Sequence, residues 1–503
     1  MADRIHESGW TLKRVASTHH MVHLGRPLFG AMYDAGSEAL RKNVVDFAKI
    51  KLLYSEADPE LLTSAQSLAC IGVRIPIDFK AYVPADLENE RILVARHLRS
   101  LLYAGRRFAG AVMACPSEPL LAEAAYMVLA RKRWSNGEAV MSPAQTTDAP
   151  RLLEPIPALS YHLSHSHLDL GTRGETVAAV LLLDARDRAT TFPLAHGDLS
   201  PGTDDTEDDE DLRYDGVRKR RIVTVTQFLR ALLAKPCHDI IPAEYHKPED
   251  AGVPLETAFK DCFVYFNHFI KAASSDMVNQ RYLRLAMSRG AAFICADSQG
   301  GIDIIIPCLF GTVLVREKVS AIMIQVKNDT RCTAKVDPVL FASMDPYRCG
   351  VFDSGVKDPP PVLRIVFALA SRESSVTAAS RWQRASTSSI RPARFTAYDI
   401  WCAGSGPSTF GVVQRGEADV LDNLLKTLRG PGDVERLYND DVSVSVVRAM
   451  RPMTSTDCSH FDRWVDRAKD TIGKEQELLE PEPEDAVAPA ELMMVSSYTA
   501  SVM

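Results

Sequence analysis

No window of 18 uninterrupted apolar residues occurs in the sequence, so no segment is expected to cross a bilayer as a helix. The ten cysteines are scattered, and no Cys-x-x-Cys pair is among them. That spacing argues against a zinc or disulfide framework and for small buried thiols in a reducing compartment. The N-terminal stretch MADRIHESGWTLKRVASTHH lacks the apolar core of a secretion signal. Gly-x-x-x-x-Gly-Lys-Ser/Thr is absent, and no apolar strand is followed by an acidic run, so no ATP binding is expected. Positive charge is not in excess either. The net charge is -7, from 58 Lys and Arg against 65 Asp and Glu. Contact with DNA or RNA must therefore come from a local patch and not from a global field. A cytoplasmic or nuclear protein with no membrane partner is expected.

What is present is ordinary for a globular chain, with 46% apolar and 24% charged residues. At 503 residues, two or three domains are expected. Residues 1–135 read as a helical module. Ala39–Leu53 places Leu40, Val44, Phe47 and Ile50 at helical spacing, and Asn89–Tyr103 and Pro119–Lys132 repeat the pattern. Residues 136–221 read as a linker with acidic and basic loops: DDTEDDED lies within 204–215, and Arg218-Lys219-Arg220-Arg221 follows. Within it, the apolar run Thr176–Leu183 fits either a helix or a buried strand.

Residues 222–430 form the second module. Helices are expected over Thr224–Leu233, over Leu255–Ala273 with an aromatic face (Phe259, Phe263, Phe266, Ile270), and over Met277–Ser288. Strands follow at Ala291–Ala296, Ile302–Phe310, Val319–Lys327 and Val362–Ala370, with Phe395–Ala403 as a fifth. Ser298-Gln299-Gly300-Gly301 has hairpin chemistry, and Val420–Leu428 reads as a short helix. Residues 431–473 are a C-terminal extension. Residues 474–503, acidic and proline-rich, are expected to be a disordered tail. The fold class is α/β, with a mixed sheet flanked by helices.

Two of the apolar strands carry charge. Asp303 interrupts an isoleucine run, and Gln325 and Lys327 stand at i and i+2, on one face of a strand. A charge in an apolar sheet is costly unless it is paired or holds a metal. One reading is a phosphodiesterase site. Asp303 would hold Mg²⁺ through hard oxygen ligands, the metal would polarise the phosphate, and Lys327 would stabilise developing negative charge. The other reading is structural: Asp303 caps the turn after Gly300-Gly301, and Gln325 and Lys327 decorate an edge strand.

A strand with Asp followed by a strand with Gln-x-Lys resembles the core of the PD-(D/E)XK nuclease superfamily. The segments FKDCFVYFNHFIK, SRGAAFICADSQGGIDIIIPCLF, VSAIMIQVKND and FDSGVKDPPPVLRIVFALAS also resemble a large fungal family. In that family a nuclease-like module follows a P-loop ATPase, an arrangement akin to Crinkler-type effectors. LKRVASTHHMVHLGRPLFGAMYDAG, SAQSLACIGVRIPIDF and ACPSEPLLAEAAYMV extend the likeness, which covers most of residues 10–430. The resemblance implies a Mg²⁺-dependent nuclease acting on DNA or RNA, with Asp303, Gln325 and Lys327 as catalytic residues. It also implies that the chain starts downstream of the ATPase core. Gln325 departs from the commoner Glu, so a second acid is needed, with Glu256 the first candidate and Asp297 behind it. The alternatives are a non-catalytic interaction protein that keeps a nuclease-like scaffold, and a decayed fragment without activity.

Other polar groups read as structural. His162, His165 and His167 fit an exposed polar turn better than a zinc site, as do His19, His20 and His23. Asp457-Cys458-Ser459-His460 reads as an N-cap before a helix over Phe461–Ala468. The basic run 218–221 is either an import signal or phosphate-contact patch, or a charge balance to the acidic loop.

Overall fold

A computed structural model describes residues 9–54, 62–77, 84–104, 111–134, 159, 170–191, 213–214, 217–218, 221–297, 299–378 and 394–426. The helices are α1 Leu12–Val15, α2 Thr18–Val22, α3 Pro27–Ala35, α4 Glu38–Lys42, α5 Val44–Leu53, α6 Ser64–Gly72, α7 Pro84–Arg96 and α8 Pro119–Trp134. They continue with α9 Leu170–Thr191, α10 Val225–Leu232, α11 Leu255–Ala258, α12 Gln280–Ser288, α13 Pro338–Ser343 and α14 Ala418–Lys426. Local chemistry sets several starts. Thr63 with Gln66, and Thr224 with Gln227, close reciprocal capping boxes at α6 and α10.

Two short hairpins stand apart from the main sheet: β1 Ser100–Ala104 with β2 Ala111–Ala114, and β3 Arg213–Tyr214 with β4 Val217–Arg218. The main sheet has nine strands. They are β5 Val223–Thr224, β6 Cys262–Val264, β7 His268–Lys271, β8 Ala291–Ile294, β9 Ile304–Phe310, β10 Val319–Lys327, β11 Val362–Ala368, β12 Ser375–Ala378 and β13 Ala397–Ala403. β9 is central. Along one edge it pairs antiparallel with β10, from Val319↔Leu309 to Ile324↔Ile304. Along the other it meets β8 at its start and β6 at its end. β11 joins β10 in parallel, β13 joins β11 in parallel, and β12 closes the edge. From α12 onward the order is therefore helix, three-stranded antiparallel meander, helix α13, parallel strand.

Strict alternation gives the sheet two apolar faces. Ile304, Ile306, Ile322, Ile324, Leu363 and Ile365 face one cluster, which also contains Leu181 of α9, Phe228 of α10 and Leu121 of α8. Ile305, Leu309, Met323 and Val366 face the other, with Leu283 of α12 and Phe341 of α13. The helices of the first 190 residues thus share a core with the sheet. The expected α/β fold with helices on both faces is present.

The Thr176–Leu183 run is the middle of α9. Val177 to Leu182 are all at most 3% exposed, so the helix is apolar on every side there, which hides its period. Two expected helices are corrected. Leu255–Ala273 is instead the single turn α11 followed by β6 and β7. Its aromatics satisfy a helical template, but aromatic and β-branched residues also suit a strand, and Tyr265 and Phe269 between them are buried too. Asn89–Tyr103 is α7 followed by β1, because Leu98 takes a left-handed φ of 61° and ends the helical path. Residues 204–212, 215, 162–167 and 457–503 lie outside the described residues.

Candidate functional site

Asp303 directly precedes β9, and Lys327 is the last residue of the neighbouring β10. The regular ladder between these strands stops at Ile304↔Ile324. Beyond it, the Asp303 N–H donates to the Ile324 carbonyl at 2.9 Å. The Asp303 carboxylate then accepts from the Val326 N–H at 2.6 Å. A side-chain oxygen thus stands where a backbone carbonyl would continue the ladder. Burial pushes the Asp303 carboxyl above its ordinary range, against the Val326 N–H and the Lys327 charge, which pull it down.

Gln325 shares the β10 face of Ala321 and Met323 and lies beside Val366 of β11. It is only 6% exposed, and its Oε1 has no hydrogen-bond partner. Lys327, beside Ala368, is half-buried and lies close enough to Asp303 to act on its charge. The structure therefore brings Asp303, Gln325 and Lys327 to one end of the sheet.

Glu256 is not with them. It lies in α11, and Arg230 of α10 donates to its Oε1 at 2.6 Å on the surface. Phe259, just after α11, packs 5.5 Å from the ring of Phe310, at the opposite end of β9 from Asp303. Phe310 lies seven residue steps along the chain from Asp303, about 23 Å at 3.3 Å per residue. The proposed partnership of Glu256 with Asp303 rested on a long helix that does not form. Asp297 is 83% exposed and paired with Lys271 at 3.0 Å. Among the described residues, no three His, Cys, Asp or Glu side chains gather closely enough to hold a metal ion.

Another acid, Glu175, lies near this end of β10. A Cβ on Gly174 would come within 3.1 Å of Asn328 Cβ and 3.2 Å of Val326 Cγ1, so α9 presses directly on the end of β10. The neighbouring Glu175 also bears on Cys295. Burial first, then Asp303, Cys349 and Glu175, raise that thiol well above its usual range. The Cys295 N–H in turn donates to the Asp303 carbonyl at 2.8 Å. Glu175 is thus within charge range of Cys295, while the groups acting on Asp303 itself are Val326 and Lys327. A signal was present in the sequence: a glycine inside a helix weakens it and often marks a close approach.

The remaining sequence candidates take structural places. Arg221 is 7% exposed; it donates to Glu123 Oε1 at 3.0 Å, the Ala16 carbonyl at 2.9 Å and Thr18 Oγ1 at 3.1 Å. For Arg221, the surface-patch and charge-balance readings both fail, because its partner Glu123 is in α8 and not in the acidic loop. His20 is buried against the Ser288 carbonyl at 2.8 Å, and burial lowers it to about 4. His23 is raised by the His19 carbonyl and by Asp34.

Compared with known protein families, curated proteins and solved structures, the chain matches none. Among the described residues, no helix is long and apolar enough to cross a membrane.

Proposed function

We propose that the protein is nuclease-like and acts on nucleic-acid phosphodiesters at the sheet end formed by Asp303, Gln325 and Lys327. The observation that carries this reading is the Gln325 side chain, buried with its Oε1 unpartnered. Such an atom costs about 1–3 kcal/mol when nothing binds it. Next to it, Asp303 holds a charge that its surroundings disfavour. A carboxylate and an amide oxygen suit a hard divalent cation, and binding one would relieve both penalties. Asp303 and Gln325 would hold Mg²⁺, with water completing its shell. When bound, the metal would polarise a phosphate and lower the pKa of water. Lys327, half-buried at the strand end, would meet the negative charge that builds on the phosphate. Further support comes from the order helix, meander, helix, parallel strand, which is that of the PD-(D/E)XK superfamily. DNA or RNA as substrate puts the protein in the cytoplasm or nucleus.

One observation favours a second reading, a non-catalytic scaffold. The Asp303 carboxylate already has structural work in capping the β9–β10 ladder through the Val326 N–H. Calorimetric titration with Mg²⁺ and Mn²⁺ separates the two. The nuclease-like reading expects one site, lost in Asp303→Asn. A wild type that binds neither ion at millimolar concentration is a scaffold.

A further inference from the structure

A second cluster lies at the start of β7, away from the Asp303 end. His268 is 1% exposed and Asn267 fully buried. The backbone fixes both: the Asn267 N–H donates to Gly290 at 2.9 Å, and the Phe269 N–H to Arg74 at 2.7 Å. Ser117, in the segment that leads into α8, lies against them. Its Oγ is 2.8 Å from His268 Nε2, and His268 Nδ1 is 2.8 Å from Asn267 Oδ1.

The proton positions follow from the partners. Asn267 Nδ2 donates to the Pro119 carbonyl at 3.0 Å and to Glu123 Oε2 at 3.2 Å, both acceptors. Asn267 Oδ1 therefore faces the ring, and an amide oxygen can only accept. The imidazole proton sits on Nδ1, leaving the Nε2 lone pair to accept from the Ser117 hydroxyl. Arg289 Nε donates to the same Ser117 oxygen at 3.1 Å. Hydroxyl, imidazole and amide stand in the order of a nucleophile, its base and the group that orients the base. The guanidinium of Arg289 favours negative charge on Oγ. The 16-residue α8 begins two residues later, so the positive end of its dipole is close by. Ser117 is the part-exposed member of the set, while His268 and Asn267 are buried.

We propose that Ser117, His268 and Asn267 form a second site, for hydrolysis of activated carboxylic esters through an acylated Ser117. The Ser117 oxygen bonds to the acyl carbon and its proton passes to His268 Nε2. The bond from the acyl carbon to the leaving oxygen then breaks, and that oxygen takes the proton from Nε2. Water repeats the sequence and frees the acid and the serine. Burial, then Arg289 and Arg74, hold the His268 imidazole down to about 3. Such a ring is a weak base, so the acyl carbon must be activated by its leaving group. Aryl esters fit this requirement and peptides do not.

The test is incubation of the full chain with a fluorophosphonate probe, followed by intact mass and peptide mapping. The Ser117 oxygen would bond to phosphorus as fluoride leaves. The expected result is one adduct on Ser117, absent in Ser117→Ala. Labelling should slow by at least about 100-fold in His268→Gln, which keeps a polar partner for the hydroxyl but no base. 4-Nitrophenyl acetate should be turned over with the same variant pattern. No adduct, or an adduct elsewhere, on wild-type protein with intact circular dichroism overturns the proposal. That result stands even if a variant fails to fold, because the wild-type map decides. Asp303→Asn should label like wild type, so the two sites succeed or fail separately.

Discussion

Replacing Gln325 with Met tests whether its orphaned amide oxygen is kept for a ligand. The side chain sits between apolar neighbours, with Met323 on its own strand and Val366 across the parallel pair, both fully buried. In this setting an unpartnered amide costs about 1–3 kcal/mol. Methionine has similar volume and flexibility, so repacking costs under about 1.5 kcal/mol. The difference predicts a gain of about 1 kcal/mol for Gln325→Met in urea unfolding without divalent ions. With Mn²⁺ at tenfold excess over its Kd, the wild type should gain about 1.4 kcal/mol, and Gln325→Met much less. If Gln325→Met loses more than about 1 kcal/mol without metal, the oxygen has a partner such as an interior water. If both proteins respond equally to Mn²⁺, the ion is not held there.

Asp303 is raised by burial, so protonation favours the folded state: stability contributed by its protonated form is present at low pH and lost as pH rises through its folded pKa. Asp303→Asn, whose amide oxygen can still accept from Val326, should therefore be at least as stable as wild type at pH 7 and gain nothing near pH 3; a large loss at pH 7 in urea titrations would contradict this. Glu123 shows the opposite sign. Burial alone would raise it, but Arg221 and Arg186 outweigh burial and bring it to about 2. Its stabilisation should be complete above about pH 4.5 and fade toward pH 2, and Glu123→Gln should cost about 3–5 kcal/mol by stranding Arg186 and Arg221, measured by denaturant unfolding. Gly301→Ala places a Cβ 2.3 Å from the Ser343 carbonyl oxygen at a φ of +89°, so the turn before Asp303 must move. A loss of about 2 kcal/mol or more is expected in thermal or urea unfolding, and an unchanged midpoint would show that the turn is not tight.

The central strands were legible because Ile304-Ile305-Ile306 is a β-branched run and Val319–Val326 is rich in β-branched residues, each bounded by turns. The neighbourhood of Asp303 and Lys327 followed from the hairpin order. Legibility ended where burial is uniform. In the middle of α9 (Val177–Leu182) and over Cys262–Phe266, consecutive residues are apolar, so spacing alone cannot choose between helix and strand. Glu256 looked plausible only as the start of a helix that does not form. Charge misled at Arg221, whose basic neighbours read as surface while the side chain enters a buried ion network with Glu123. Ser117 and His268 are 151 positions apart, and no local pattern joins them.

Cleavage of labelled DNA and RNA in the presence of Mg²⁺ or Mn²⁺ tests the phosphodiester reading most directly. The account predicts metal-dependent cleavage by the wild type, none with chelator, and none by Asp303→Asn. Lys327→Ala should bind the metal nearly as well as wild type yet cleave at least about 100-fold more slowly, since its charge acts on the transition state. A folded wild type that cleaves neither nucleic acid with either ion, or a Lys327→Ala protein that cleaves at the wild-type rate, would contradict it.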